Sequence, residues 1–269
     1  MVKSPRSIAQ SFADRKTGGI GLIPFLPAGF PNLETTAATL KAIDAAGVSA
    51  IEIGFPFSDP IADGPTIQHS YTAALSQKIK VADILAMLRQ SASQLSAPLV
   101  GMLSYSIVYR HGPEKFFADA RSAGISGLII PDLPPPEANK ICRQIRAAGI
   151  DTILLVAPTT TTERRREIVE LCSGFVYYLS VSGITGARED LPADLAKNVS
   201  ELRTMTDRPI CVGFGISKPA HITALTGIAD GAIVGSAIVK RMTELASSPP
   251  AEIAKAIGDY CRSLRPNSR

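Results

Sequence analysis

The chain is poor in the residues that build metal centres and disulfide frameworks. Its 269 residues hold three histidines and four cysteines (Cys142, Cys172, Cys211 and Cys261), which are widely spaced with no C-x-x-C pair. That argues against a structural zinc site and against a stapled secreted fold. Long apolar runs are also missing: the longest charge-free stretch, Gln90 to Tyr109, is broken by Pro98 and several serines, so no membrane span is expected. The opening MVKSPRSIAQSFADRK has no apolar core and carries Asp14, so it does not read as a signal peptide, and a cytoplasmic location is expected. Charge of one sign is scarce as well. Lys and Arg number 28 against 24 Asp and Glu, for a formal charge of +4. The densest basic cluster, Arg164 to Arg166, sits among Glu163, Glu167 and Glu170 and reads as a solvated helix face. Nucleic-acid binding is not expected.

What is present is an ordinary globular composition, with 45% hydrophobic and 19% charged residues, which excludes disorder. Short apolar, β-branched runs alternate with amphipathic stretches along the whole chain. Strands are expected at Gly21–Phe25, Ala50–Gly54, Leu99–Leu103, Gly127–Ile130, Thr152–Val156, Phe175–Ser180, Ile210–Gly213 and Ala232–Gly235. Helices ending in glycine precede several of them, at Gly47, Gly124, Gly149, Gly174 and Gly227, where a left-handed residue would close the helix. Asn32 is placed to cap a helix whose apolar face includes Leu40, Ile43 and Ala46. Glu137–Ala148 carries Ile141 and Ile145 one turn apart.

Strict alternation of strand and helix implies a parallel sheet, and eight units in this length imply an α/β fold, a single (β/α)8 TIM barrel over residues 1–269. No G-x-G-x-x-G follows the first strand, which lowers the dinucleotide-binding alternative. An extra N-terminal helix, with Ser4 as cap and Pro5 in its first turn, would plug the bottom of the barrel.

In such barrels the chemistry sits at the C-terminal ends of the strands. On the second strand, alternation turns Ile51 and Ile53 toward the helices and Glu52 into the barrel. A carboxylate there loses solvation and becomes a candidate proton carrier; the alternative is a glutamate held in a structural salt bridge. The next loop, Phe55 to Pro65, contains three prolines and brings Asp59 and Asp63 over the same mouth, unless each merely caps a turn. Glycines after the seventh strand (Gly213, Gly215) and the eighth (Gly235, before Ser236) suit a phosphate held by backbone amides. Ser180 to Arg188 reads as a glycine-hinged lid. No lysine falls inside an expected strand, so a Schiff-base aldolase is disfavoured and proton transfer by carboxylates is expected, with no metal.

These motifs resemble a known family. Glu52 together with Pro56-Phe-Ser-Asp-Pro-Ile-Ala-Asp-Gly-Pro-Thr-Ile-Gln68 closely resembles the signature of the tryptophan synthase alpha chain. The likeness continues through Gly127 to Pro134, Ser182 to Arg188, Gly213 to Ile216 and Gly235 to Val239. The resemblance implies retro-aldol cleavage of indole-3-glycerol phosphate to indole and glyceraldehyde 3-phosphate. Glu52 would move the protons, and Asp63 would hold the indole N–H. The phosphate would rest on Gly186, Gly213, Gly215, Gly235 and Ser236. Phe25, Ile129, Tyr177 and Phe214 would wall the indole, and Thr185 on the lid would order Asp63. It further implies a beta-chain partner in an assembly of two alpha and two beta chains, with no cofactor in this chain and pyridoxal phosphate in the partner, faced by the loop around Pro56 and Asp59.

The chain departs from the family at Ser104 and Ser106, where a Tyr-Tyr-Asn-Pro pattern is more usual, and at Pro27, in place of a small or hydroxyl residue. Three other readings share parts of this pattern. A different phosphosugar barrel enzyme would need a lysine or cysteine acid inside the barrel. A barrel that only activates a partner would not need Glu52 and Asp63. A stand-alone indole lyase would keep the chemistry without the partner.

Overall fold

The computed structural model describes residues 7–13, 19–59, 63–180, 192–213 and 215–265. The first half runs α1 (Ile8–Ala13), β1 (Gly21–Pro27), α2 (Leu33–Asp44), β2 (Ile51–Gly54), α3 (Pro65–Ser76), α4 (Val81–Ala92), β3 (Leu99–Met102), α5 (Tyr105–His111), α6 (Pro113–Ser122) and β4 (Ile125–Ile129). The second half runs α7 (Pro135–Ala147), β5 (Asp151–Val156), α8 (Thr162–Leu171), β6 (Val176–Leu179), α9 (Leu195–Arg203), β7 (Ile210–Gly213), α10 (Pro219–Leu225), β8 (Gly231–Val234), α11 (Ser236–Glu244) and α12 (Pro250–Leu264). The eight strands pair in chain order, and β1 pairs in parallel with both β2 and β8, so the sheet closes on itself. This is the expected (β/α)8 barrel. Among the described residues no helix is long and apolar enough to cross a membrane.

Closure follows from burial on both strand faces. β1 is buried along its whole length, as parallel barrel strands covered by helices are. Alternation then sorts each strand into two cores. One face contributes Ile23, Ala50, Val100, Ile129, Ile153, Phe175, Tyr177, Cys211 and Ile233 to a core inside the barrel. The other face, including Leu26, Ile51 and Ile53, packs under the helices with Leu40, Ile43 and Leu88.

The bottom of the barrel is stoppered by α1, as expected. Its described start is capped by Ser7, which exchanges bonds with Gln10: Ser7 N donates to Gln10 Oε1 at 3.0 Å and Gln10 N to Ser7 Oγ at 3.2 Å. Ser4 and Pro5 lie outside the described residues. Ile8 joins the inner core, and Phe12 meets the Phe175 ring at 6.2 Å. Gly127 makes room for this plug, since a Cβ there would lie 2.7 Å from Ile8 Cδ1.

Asn32 caps α2 as expected, accepting from Thr35 N at 2.8 Å. Gly47, Gly124, Gly149 and Gly227 take the left-handed conformation. Gly174 does not, and this corrects the sequence reading: α8 stops at Cys172, whose backbone is extended. Gly174 instead lets neighbouring chain approach, since a Cβ there would sit 3.1 Å from Ile153 Cγ1. The seventh helix starts at Pro135, two residues before the expected Glu137, because Pro is accepted in a first helical turn. A further correction concerns the basic cluster. Arg165 is buried, donating to the Thr160 and Pro158 carbonyls and pairing with Glu201 at 3.2 Å, so only its neighbours face solvent.

Candidate active site

Glu52 points into the barrel from the middle of β2, in register with Phe25 on β1 and Val100 on β3. It is 1% exposed. Burial, and secondarily the negative charge of Asp63, push its carboxyl from the ordinary 4.5 up to about 8. Its Oε2 is buried without a hydrogen-bond partner among the described residues. A buried acceptor left unpaired is costly. Among the described residues no salt bridge to Glu52 is found.

Asp63 stands just before α3. Gly64 and Pro65 start that helix, and the Gln68 side chain reaches back to donate to the Asp63 carbonyl at 2.7 Å, fixing the main chain that carries the carboxylate. Half-buried, Asp63 is pushed up from 3.8 to about 6 by loss of solvent. The two carboxylates thus share one low-dielectric region but keep different proton affinities, which is the arrangement from which separate acid and base roles arise.

Two phenols complete the polar interior. Tyr71 extends from the buried stripe of α3 that also holds Ile67 and Ala74. Its hydroxyl is held well above the usual range by burial and by the charges of Asp63 and Glu52. Gly54 makes its position possible, because a Cβ there would run into the Tyr71 hydroxyl and the Phe25 ring. Tyr177 on β6 is shifted upward in the same way, by burial and then by Glu52, Asp63 and Cys211. Tyr71 escaped the sequence reading. The only signal was its place one turn beyond Ile67 on the helix that follows Asp63.

A cavity of about 450 Å³ opens over Asp63, walled by Phe55, Phe57, Tyr71, Met102, Leu103 and Pro131, with Asp59, Ser104, Ser106 and Asp132 on its polar side. Its size suits a small aromatic ligand. Glu52 is not on its described wall. Ser104 and Ser106 are tied into one chain of bonds: Ser106 Oγ donates to Ser104 Oγ at 2.9 Å, and Ser104 Oγ donates to Asp132 Oδ2 at 2.6 Å. Asp132 also accepts from the Tyr105 amide at 2.7 Å. The altered stretch after β3 therefore builds an ordered wall, with Asp132 as a participant that the sequence reading did not single out.

On the opposite side, β7 and β8 run as neighbours; β7 ends in Gly213, and Gly235 follows the last residue of β8, Val234. Gly213 has the Tyr177 ring packed against its Cα, with the hydroxyl 2.6 Å from where a Cβ would be. Gly215 is left-handed, at φ +82°. Gly235 caps α11, so the amides of Ser236 and Ala237 open toward the mouth without partners from their own helix. Phe25 and Ile129 lie on the inner barrel face, as expected. Thr185, Gly186, Phe214 and all of the stretch read as a lid beyond Ser180 lie outside the described residues. Every described lysine is exposed, so none of them lies in the desolvated interior where an imine-forming amine must sit.

A closed parallel barrel that holds two carboxylates of split proton affinity, with glycines following β7 and β8, defines the class as a (β/α)8 barrel enzyme. The particular family emerges from comparison. The family model for the tryptophan synthase alpha chain matches residues 12–265. The alpha chain of Picosynechococcus sp. is 44% identical, over 96% of this chain and 98% of that relative. That of Rhodopirellula baltica is 46% identical over 91% of each. Among solved structures, the tryptophan synthase A-subunit of the hyperthermophile Pyrococcus furiosus superposes with a TM-score of 0.84 at 35% identity, covering 92% of this chain and 98% of that one. The chain belongs to the tryptophan synthase alpha chain family, lyases that cleave indole-3-glycerol phosphate in tryptophan biosynthesis. Membership implies a beta chain as partner and a small-molecule substrate.

Proposed function

We propose that Glu52 and Asp63 divide the retro-aldol chemistry according to their surroundings. The observation that carries this reading is the buried Glu52 carboxyl, its Oε2 without a partner among the described residues, raised to about 8 beside an Asp63 raised only to about 6. Near pH 7 Glu52 then holds a proton while Asp63 is charged. Glu52 gives its proton to indole C3. The bond between C3 and the glycerol side chain breaks, and its electron pair restores the indole ring. The side-chain hydroxyl becomes the aldehyde of glyceraldehyde 3-phosphate, and its proton returns to Glu52. Asp63 accepts the indole N–H and stabilises the positive charge that spreads over the ring once C3 is protonated.

The phosphate rests on the amides of Gly213, Gly215, Gly235 and Ser236, with Gly186 from the neighbouring loop. Phe25, Ile129, Tyr177 and Phe214 wall the indole, with Thr185 acting on Asp63. Residues 1–269 act as one barrel domain in the cytoplasm, within an assembly of two alpha and two beta chains. Pyridoxal phosphate resides in the beta chain, and the loop around Pro56 and Asp59 faces it.

The test is indole release from indole-3-glycerol phosphate by the purified chain, alone and with a beta chain. Slow release that rises sharply with the partner is expected. Fast release without it contradicts the coupled assembly, and no release in either condition contradicts the assigned chemistry.

A further inference from the structure

The two segments that would hold the phosphate are joined behind the site by one side chain of α12. Tyr260, 8% exposed, donates its hydroxyl to the Ser217 carbonyl at 2.8 Å. Ser217 lies two residues beyond the left-handed Gly215, at the exit of the β7 glycine segment. The ring of the same tyrosine is covered by the Arg241 guanidinium, 3.7 Å from its centroid. Arg241 belongs to α11, the helix whose N-terminus is Gly235-Ser236, and its Nη1 reaches back to the Ala237 carbonyl in the first turn at 3.4 Å. Ser217 is held from a second direction: its amide donates at 3.2 Å to Nδ1 of His221, a histidine 5% exposed on α10. Both main-chain polar groups of Ser217 are therefore committed to side chains of α10 and α12.

We infer that Tyr260 and His221 are positioning residues that set the spacing and orientation of the two anion-binding segments, and so tune affinity for the phosphate of the substrate without touching the reacting atoms. This rests on the phosphate placement proposed above. Amides arranged for an anion act at fixed separation, and loosening one segment relative to the other weakens a ligand that spans both. Neither residue is on the cavity wall or among the causes of the Glu52 and Asp63 shifts, so proton transfer is left alone.

The test compares binding of glycerol 3-phosphate and glycerol to the full-length chain, together with steady-state indole release, for the parent and for Tyr260→Phe, His221→Leu and His221→Asn. Tyr260→Phe keeps the ring under Arg241 and removes only the bond to Ser217. Loss of one such bond is expected to weaken glycerol 3-phosphate binding and raise KM roughly 2- to 10-fold, with kcat held. His221→Leu should behave alike. His221→Asn, which offers an oxygen near the position of Nδ1, should restore parental KM. A purely structural role would lower kcat and thermal stability without this split. A parent that prefers glycerol 3-phosphate over glycerol, with both disabling variants unchanged in affinity, overturns the brace alone. A parent that shows no such preference overturns the phosphate placement and the brace with it.

Discussion

Replacing Glu52 by Gln separates the chemical role of that carboxyl from the energetic consequence of burying it. Folding moves its proton affinity from the ordinary 4.5 to about 8, so the folded chain holds the proton more tightly than the unfolded chain. Below pH 4.5 both states are protonated and stability is fully present. As the pH rises toward 8 the unfolded chain releases its proton while the folded chain keeps it, so stability falls; above 8 the loss levels off. At about 1.4 kcal/mol per pH unit over that window, the whole loss is on the order of 5 kcal/mol.

Gln keeps the shape and has no proton to release, so the variant lacks this slope. Asp63, raised by its own burial, contributes alike to both chains. The unpartnered polar atom at the Oε2 position is also common to both near pH 5 and cancels there. A chain of this size shifts its Tm by about 2–4 °C per kcal/mol, so a gap on the order of 10 °C should open in favour of Glu52→Gln between pH 5 and pH 9. Thermal unfolding at both pH values, with indole release measured in parallel, checks both halves. Turnover should drop at least about a hundredfold, as expected when a proton carrier is removed. Parallel stability curves for the two chains refute the buried proton. Near-normal turnover refutes its role.

The pH profile of kcat/KM should be bell-shaped. It should fall below about 6 as Asp63 takes up a proton and above about 8 as Glu52 loses its own, and a flat profile from pH 5 to pH 9 contradicts the split. Gly213→Val should place its Cβ against the Tyr177 ring. The overpacking, about 1–3 kcal/mol, should appear as a lower Tm together with a raised KM, because the phosphate rim and the indole wall are both disturbed. Ser104→Ala removes the cap on the Ser106 amide at 3.2 Å and the bond to Asp132 at 2.6 Å. It should cost about 1 kcal/mol in urea unfolding with kcat unchanged, whereas a large loss of kcat would place Ser104 in the chemistry.

Much of this protein is legible because barrel periodicities are local. Alternation along Ala50 to Gly54 is enough to send Glu52 inward and Ile51 and Ile53 outward, and Asn32 caps its helix through a neighbour three residues away. Where a residue's role depends on a distant element, local pattern fails. Arg165 looks like one more charge on a solvated helix, yet it is drawn inward by carbonyls of the preceding loop and by Glu201 on α9. Gly174 looks like a helix terminator, yet it is small because Ile153 on the neighbouring strand needs the space.

The order of strands and helices, the inward face of β2 and the glycines at the ends of β7 and β8 are thus properties of the sequence alone, since each depends on contacts within a few residues. Tertiary structure decided the rest. It carried Tyr71 to the carboxylates, joined Ser104 to Asp132, and set Tyr260 between Ser217 and Arg241 of α11. It also set Glu52 and Asp63 apart in proton affinity, because desolvation and Coulomb energy depend on what surrounds a charge in space and not on its neighbours along the chain.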